Sequence, residues 1–291
     1  MKKKILSVML AVVMVFAFAA CGNGDKNSGS ADSGTDKNSV NNTGVLRVGM
    51  ECAYAPYNWT QADDSNGAVP IADSGEYAYG YDIMMAKKLA DELGWKLEIH
   101  KMDFGSLPLA VQTGSIDCAI AGQSVTPERL QSVDFTEPYY YADVIGLVKK
   151  DSKFANAKSV SDLKGASATS QLNTIWYTVL DQIPDVNKQP AIDTVPNMTV
   201  ALSSGSVDFL CCDRPTALAA VSANPSLKII DFEGGTGFEV SESDINICIS
   251  VKKGNNELKD SLNNILKTMT ADDFNNMMNE AIKVQPLSVL Q

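Results

Sequence analysis

The sequence predicts an α/β fold of two lobes, each a mostly parallel sheet covered by helices, with a two-segment hinge between the lobes. The first observation is that strand-like and helix-like segments alternate from residue 45 onward, which is the pattern of strand–helix–strand units. The second is that the alternation stops after residues 116–121 and restarts at residues 144–148. The third is a last apolar strand at residues 245–251, which indicates that the chain returns to complete its first lobe.

Periodicity assigns the elements of the first unit. Residues 81–93 place apolar side chains at helical spacing before a glycine, whereas residues 96–100 alternate as a half-buried strand does. The predicted order is strand 45–50, helix 81–93, strand 96–100, helix 107–112 and strand 116–121.

The second unit repeats the alternation and leaves a carboxy-terminal remainder. We expect one lobe to comprise residues 45–140 and 246–291, and the other residues 141–245. Ligands of open α/β sheets bind beyond the carboxyl ends of the strands, so the predicted site is the cleft between the lobes. The predicted elements are a strand at 144–148, a helical turn at 161–165, a strand at 166–170, helices at 173–180 and 198–203, a strand at 207–212, a helix at 215–221, a strand at 245–251 and helices at 257–269 and 271–282.

Residues 1–20 are typical of a bacterial lipoprotein signal peptide. Lysines precede an apolar run from Ile5 to Ala20, which is too short to span a bilayer. The small residues before Cys21 resemble a lipobox, which implies cleavage before Cys21 and a diacylglyceryl group on its thiol. The alternative is an ordinary secretory signal with an incidental Cys21. Residues 21–44 are the lipidated cysteine and a polar, flexible tether, so we expect an extracytoplasmic protein anchored to the cell membrane by lipid.

Composition excludes several classes of function. The formal net charge is −11 and no basic cluster follows the signal, so nucleic acid is not an expected partner. The single histidine, His100, excludes His-dependent triads and multi-histidine metal sites, and we predict no cofactor and no metal. The other cysteines suit buried apolar positions, and a disulfide between Cys248 and Cys211 or Cys212 stays open. These cysteines are Cys52, Cys118, Cys211, Cys212 and Cys248.

Several ordered motifs follow residue 44. They are residues 46–57, Gly80-Tyr81-Asp82-Ile83, residues 114–129, residues 133–140, Asp162-Leu163-Lys164-Gly165 and residues 205–209. Together they resemble the polar amino acid binding proteins of ABC importers, solute-binding protein family 3. The resemblance implies a periplasmic-binding-protein-like fold. It also implies that the protein is a monomer and has no catalytic activity. Such a protein captures a free polar amino acid, with lysine, arginine, ornithine or glutamine as candidates, and delivers it to the permease subunits of an ABC importer.

Arg129 is the first candidate for a ligand-binding residue. A guanidinium stays charged at any relevant pH and binds a carboxylate through two parallel hydrogen bonds. The resemblance places the family's carboxylate-binding arginine at this position, in Thr126-Pro127-Glu128-Arg129. The alternative is a surface arginine that pairs with Glu128 or Asp134.

Gly122 and Ser124 follow the predicted strand 116–121 and are further candidates. The resemblance implies that Ser124 contacts the ligand's ammonium and carboxylate and that the Gly122 carbonyl accepts from the ammonium. Glycine at residue 122 lets the backbone approach a ligand closely. The alternative for Ser124 is a helix cap, although Thr126 before Pro127 suits that role better.

The second lobe supplies three candidates. Asp213 follows the predicted strand 207–212, and the resemblance makes it the residue that binds the ammonium; the alternative is a helix cap. Thr174 and Asn173 begin a predicted helix, whose free N–H groups favour anions. The family carries glycine before the threonine, so Leu172-Asn173 is a departure from its pattern.

Two aromatic residues and one acid complete the candidate site. By resemblance, Tyr54 and Phe104 sandwich the ligand's side chain, and the alternative for both is core packing. Glu51 stands where relatives carry an acid near the distal end of the ligand, which favours a cationic amino acid.

Two rival functions remain open at this point. One is a surface sensor or interaction lipoprotein that binds the same ligand without transport. The other is an enzyme similar to the cyclohexadienyl dehydratases on this fold, which the lack of an evident acid–base pair makes the weaker reading.

Overall fold

A computed structural model describes residues 44–232 and 234–286 of the 291-residue chain. The predicted signal peptide, Cys21 and all of the predicted tether except Gly44 lie outside the described residues. Across the described ranges, none of the helices has both the length and the apolar character that crossing a bilayer requires.

The described residues alternate between strands and helices. The strands are β1 Val45–Met50, β2 Ala53–Tyr54, β3 Asn58–Gln61, β4 Val69–Pro70, β5 Tyr77–Tyr79, β6 Lys96–Lys101, β7 Cys118–Ala119, β8 Val133–Tyr141, β9 Val144–Lys149, β10 Ser167–Thr169, β11 Asn187–Lys188, β12 Phe209–Asp213, β13 Leu227–Ile230 and β14 Asn246–Lys252. The α-helices are α1 Tyr81–Leu93, α2 Leu107–Thr113, α3 Ile175–Thr178, α4 Val195–Ser203, α5 Arg214–Ala223, α6 Glu242–Ile245, α7 Asn256–Leu266 and α8 Ala271–Val284.

The first five-stranded sheet has the order β6-β1-β7-β14-β8. Strand β1 pairs in parallel with β6 and β7, and β14 pairs antiparallel with β7 and β8. The side chains of Leu46, Val48 and Met50 are fully buried, which is expected of a strand with a neighbour on each side and helices over its faces.

The second five-stranded sheet repeats this plan with the order β11-β10-β12-β9-β13. Strand β10 is parallel to β11 and β12, and β9 is antiparallel to β12 and β13. The prediction of two α/β lobes is confirmed. Four strands of each sheet run in the same direction, and one strand in each runs against them, β14 in the first sheet and β9 in the second.

Helices bury one face each against the sheets. In α7, Leu258, Leu262 and Leu266 recur at every fourth residue, so they share the face that packs towards β8 and α1. The Asn255 side chain accepts from the backbone N–H of Leu258 and fixes the start of this helix. Helix α8 starts with a reciprocal capping box between Thr270 and Asp273.

The chain passes between the sheets twice, and the two passing segments lie side by side. Strand β8 belongs to the first sheet and β9 to the second, and the return runs from α6 into β14. The backbone N–H of Ala142 donates to the carbonyl of Ile245 at 2.9 Å, and Tyr141 is paired with Asn246. This adjacency gives the two-segment hinge that the sequence predicts.

A small four-stranded sheet of order β2-β3-β5-β4 was not predicted. Its strands are two to four residues long, which is too short for a periodic signal. The sheet carries Tyr54 and Asn58, so it positions part of the candidate site.

Several predicted elements are shorter in the structure, and two of them lose half of their predicted residues or more. The strand expected at 116–121 pairs only over Cys118–Ala119. The helix expected at 173–180 begins at Ile175, because Asn173 has a φ of 62° and Thr174 is extended. It continues after four residues as a short 3₁₀ helix, Val179–Gln182.

Candidate functional site

The candidate site lies where the two sheets present the carboxyl ends of their parallel strands to each other. Glu51 follows β1, and Gly122 and Ser124 follow β7. Across the cleft, Asn173 and Thr174 follow β10, and Asp213 is the last residue of β12. The topology therefore brings the predicted residues from both lobes to one interface, as parallel α/β sheets generally do.

Arg129 is partly buried in this cleft and contacts both lobes. Its Nη1 donates to the Ser124 carbonyl at 2.7 Å and its Nη2 to the Asn173 carbonyl at 2.9 Å. The guanidinium also lies over the Phe104 ring, 5.2 Å from the ring centre. Burial lowers the pKa of Arg129 to about 10, so the side chain is still cationic at neutral pH.

The hydrogen-bond partners of Arg129 are neutral. They are carbonyl oxygens, and neither Glu128 nor Asp134 is hydrogen-bonded to it. Asp134 instead pairs with Lys253, with a distance of 3.3 Å between the charged atoms. The surface-pair alternative for Arg129 is therefore not what the structure shows, and no carboxylate of the described residues is hydrogen-bonded to its guanidinium.

In the loop of residues 172–174, the group that contacts Arg129 is the Asn173 carbonyl and not the Thr174 hydroxyl. Asn173 takes the left-handed conformation at φ 62°, which asparagine tolerates better than most residues with a Cβ. Leu172 is 43% exposed. The Thr174 hydroxyl donates to the Gln171 carbonyl at 2.7 Å, so it is bonded within its own loop.

Asp213 serves as a helix cap and as a contact to the other lobe. Its Oδ1 accepts from the Thr216 N–H and its Oδ2 from the Thr216 hydroxyl, both at 2.9 Å. The Tyr54 hydroxyl, from the first lobe, donates to the same Oδ2. Burial raises the pKa of Asp213, although these hydrogen bonds offset part of the effect. The Asp213 carboxylate therefore caps α5 and also lies at the contact between the lobes.

Gly122 gives Tyr54 the room to reach Asp213. Gly122 has a φ of 63°, and a Cβ built on it would lie 2.6 Å from the Tyr54 ring carbon Cε1. A side chain at residue 122 would therefore push the Tyr54 ring out of place. The Gly122 N–H donates to the Tyr139 hydroxyl at 3.0 Å.

Glu51 is hydrogen-bonded to the side-chain amide of Gln171 in the second lobe. Its Oε2 accepts from Gln171 Nε2 at 2.9 Å, and its side chain is buried, with 7% exposed. Burial raises the pKa of Glu51 to about 7, and the carboxylates of Asp103 and Asp193 add to that rise.

Two cavities at this interface are lined by predicted site residues. One of about 980 Å³ is lined by Arg129 and Thr174, and a second of about 580 Å³ is lined by Glu51. Phe104, Gly105, Leu172 and Asn173 line both cavities. The structure therefore forms three contact groups from the predicted residues. They are Arg129 with Ser124, Phe104 and Asn173; Asp213 with Tyr54 and Gly122; and Glu51 with its partner across the cleft.

A buried polar network behind the site was missed by sequence reasoning. Asp82 accepts from Asn58 Nδ2 at 2.7 Å and from the Tyr139 hydroxyl at 2.8 Å. Asn58 in turn accepts from the Cys52 N–H at 2.7 Å. With the bond from Gly122 to Tyr139, the network joins the loop after β1 to the loop after β7.

The carboxylate at the centre of the network is that of Asp82, which the sequence marks only weakly. Burial raises the pKa of Asp82 to about 7. The motif Gly80-Tyr81-Asp82 marks Asp82 at the start of α1, where an acid suits the helix dipole. Its partners lie 24 and 57 residues away in the sequence, so no local pattern reveals them.

The cysteines in the described part of the chain are not paired with one another. Cys52, Cys118, Cys211, Cys212 and Cys248 are free and buried, so the disulfide left open by the sequence is not formed. Burial raises the pKa of the Cys52 thiol to about 12, which keeps it protonated. The described ranges also hold no group of three His, Cys, Asp or Glu side chains placed to bind a metal ion.

Fold and site together define a two-lobed binding protein whose charged cleft lies between mixed sheets. The chain belongs to the bacterial extracellular solute-binding proteins, family 3, whose family model matches residues 46–282.

Its relatives include binding proteins for different amino acids. The chain is 34% identical over 173 residues to the arginine-binding extracellular protein ArtP of Bacillus subtilis, which is 60% of this chain and 57% of ArtP. It is 27% identical over 278 residues to the L-cystine-binding protein TcyA of Bacillus subtilis, which is 93% of each chain.

A solved structure is also similar. It is an amino acid ABC transporter substrate-binding protein from Streptococcus pneumoniae bound to L-arginine, with a TM-score of 0.70 and 26% identity. The match covers 82% of this chain and 94% of that one.

The buried network predicts an effect of Tyr139→Phe. Removing the hydroxyl leaves the Gly122 N–H and one Asp82 oxygen without their partner, which costs about 1–3 kcal/mol of unfolding free energy. Denaturant unfolding of the purified full-length protein measures this loss. The matched control is Tyr79→Phe, whose hydroxyl makes a longer bond of 3.3 Å to Glu280. If both variants lose the same small amount, the network does not stabilise the lobe.

Proposed function

We propose that this protein captures a polar amino acid between its two lobes outside the cytoplasm and delivers it to an ABC importer. The observation that carries the proposal is Arg129, a cleft guanidinium bonded to neutral carbonyls of both lobes. Family membership and the relatives named for amino acid binding support the same function. In this proposal one lobe comprises residues 45–140 and 246–291, and the other residues 141–245.

The backbone groups of a free amino acid match the first two contact groups. We assign the ligand's carboxylate to Arg129, because a guanidinium is the group best suited to bind it through two hydrogen bonds. We assign the ammonium to Asp213, Ser124 and the Gly122 carbonyl. These groups supply a carboxylate, a hydroxyl and a carbonyl, all of which accept hydrogen bonds.

The remaining candidates surround the rest of the ligand. The Tyr54 and Phe104 rings flank the ligand's side chain, and Glu51 accepts from its distal end. Thr174 and Asn173 close over the carboxylate from the second lobe. The proposed role involves binding and release without catalysis.

Binding and closure depend on the same groups. Three hydrogen bonds already join the lobes at the site: Arg129 to Asn173, Tyr54 to Asp213, and Gln171 to Glu51. A ligand between these pairs replaces neutral protein partners with charged ones, which form stronger hydrogen bonds. The bound amino acid thereby favours the closed form, which the permease subunits recognise.

The amino-terminal segment completes the proposal. Lipidation of Cys21 holds the monomeric protein at the outer face of the cell membrane, and residues 22–44 let it reorient there. This arrangement keeps the loaded protein close to its importer.

Arg129→Ala tests the carboxylate assignment. Loss of the guanidinium leaves the ligand carboxylate unpaired in the cleft, which we expect to cost about 2–5 kcal/mol of binding free energy. Arg129→Lys keeps the charge but cannot form two parallel hydrogen bonds to the carboxylate. Its affinity should therefore lie between that of the parent protein and that of Arg129→Ala. Isothermal titration with the bound amino acid measures both variants.

A control separates binding from folding in this experiment. Arg47 lies in β1 and is ion-paired with Asp117 at 2.7 Å. Arg47→Ala should lower stability and leave the affinity unchanged. If Arg129→Ala binds as tightly as the parent protein, the assignment is wrong.

Asp213 allows its two roles to be separated. Asparagine caps helices about as well as aspartate does, so Asp213→Asn should change the unfolding free energy by less than about 1 kcal/mol. The loss of negative charge should nevertheless weaken amino acid binding by about 2 kcal/mol or more. Asp213→Ala should lose both stability and affinity. Equal affinity of Asp213→Asn and the parent protein would reduce Asp213 to a cap.

The raised pKa of Glu51 gives a prediction for how the affinity for arginine depends on pH. Its carboxyl group has a pKa of about 7, raised by burial, so below that pH it carries a proton that a cationic ligand must displace. The affinity for arginine should therefore rise as the pH increases through about 7 and level off above it. Titrations at several pH values measure this, and Glu51→Gln should remove the dependence. An unchanged pH profile in Glu51→Gln would refute the assignment.

A further inference from the structure

A third cavity lies between the lobes and is lined by none of the residues that the proposed function assigns to the amino acid. Its volume is about 320 Å³, which is within the range of sites that bind small molecules. Strand β2 and the two residues after α8 line it from the first lobe, and α4 and α5 line it from the second. A molecule in this cavity would therefore contact both lobes without entering the amino acid site.

The side chains that line this third cavity are mostly apolar or already hydrogen-bonded. The walls include Ala219 and Ala220 of α5. Thr60, Thr199 and Thr216 also line the cavity, and each donates its hydroxyl hydrogen to an oxygen of its own lobe. None of the described lining residues is acidic. The cavity therefore suits a ligand with an apolar body and offers a cationic ligand no carboxylate.

Gln285 brings a buried donor to the cavity. Only 8% of the residue is exposed, and its Nε2 is buried and has no hydrogen-bond partner among residues 44–232 and 234–286. A buried amide nitrogen without an acceptor is costly, so Nε2 points to an acceptor that a ligand supplies.

The charge of the cavity favours an anionic acceptor. Lys101 is the charged side chain among the described lining residues. Its Nζ donates to the Thr60 hydroxyl at 2.9 Å and lies 3.5 Å from a carboxylate oxygen of Glu76. An ammonium group has three donors, so these two contacts leave one for a ligand. A carboxylate is an acceptor that suits both a cation and an amide donor.

We propose that the third cavity is an accessory site for a small molecule with an apolar body and a carboxylate, and that Gln285 Nε2 donates to that carboxylate. The walls come from both lobes, so an occupant favours the form of the protein in which the lobes are together. The amino acid favours the same form in the proposed function, on which this coupling rests. Each ligand should therefore raise the affinity of the other.

The sign of the coupling separates this site from the amino acid site. A carboxylate that bound to Arg129 instead would compete with the amino acid and lower its affinity, whereas a carboxylate in the third cavity raises it. Benzoate is a suitable probe, because it joins an apolar ring to a carboxylate and has no ammonium group for Asp213.

The test is isothermal titration of the full-length protein with arginine at increasing benzoate concentrations and constant ionic strength. At saturating benzoate, the arginine affinity should rise at least about fivefold, which is the lower end of typical couplings between sites. Benzyl alcohol has a similar ring but no charge, so it forms weaker hydrogen bonds and should change the arginine affinity by less than about twofold.

Two substitutions locate the effect in the cavity. Gln285→Met keeps the length of the side chain and removes the donor, which should weaken benzoate binding at least about tenfold. Ala223→Leu, at a partly exposed wall residue at the end of α5, narrows the cavity and should weaken benzoate binding as well. The matched control is Gln189→Met, which removes an amide that donates to the Asn187 carbonyl and should leave the benzoate effect unchanged.

A rise in arginine affinity that both substitutions weaken supports the inference. A fall, no rise, or a rise that persists unchanged in either variant would overturn it while the proposed function stands. A parent protein that binds no amino acid would overturn the proposed function and the coupling, and direct titration with benzoate then tests the cavity. In that titration, benzoate binding that both substitutions weaken supports the site, and any other result refutes it.

Discussion

The structure depends on how ionisable groups are accommodated where the two lobes meet. Asp213 and Glu51 are buried there and Arg129 is partly buried, and removing such groups from water is costly unless they find hydrogen-bond partners. Each finds one on the opposite lobe: the Tyr54 hydroxyl, the Gln171 amide and the Asn173 carbonyl, respectively. All three partners are neutral, so the charges remain available to a ligand that carries a carboxylate, an ammonium and a polar side chain.

The fold supplies this interface in a simple way. Two mixed sheets of the same plan face each other with the carboxyl ends of their parallel strands, and paired passing segments near Ala142 and Ile245 connect them. Loops at strand ends are mobile elements unless something ties them down. In the first lobe, the Asp82 network ties two of these loops to one buried carboxylate, which places Gly122 at a fixed distance from Tyr54. Two lobes that are joined by a hinge can close around a ligand.

Much of this arrangement follows from the sequence, and the exceptions have physical causes. Long periodic elements such as α1 were predicted with their bounds, because many residues contribute to each signal. The motif around Arg129 predicted a ligand-binding residue, and in the structure Arg129 bonds to carbonyls of both lobes. The bonds of Asn173, Gln171 and Asp82 were not predictable, since each depends on a partner that only the tertiary fold brings near. The small sheet was missed because its strands are too short to show alternation.

The central claim is that the cleft binds a free amino acid. Isothermal titration of the full-length protein against the common amino acids tests it most directly, after unfolding and refolding have removed any ligand carried through purification. We expect saturable one-to-one binding, strongest for an amino acid with a cationic side chain. Binding of a neutral polar amino acid instead would keep the clamp and contradict the role given to Glu51. No binding to any amino acid would contradict the account as a whole.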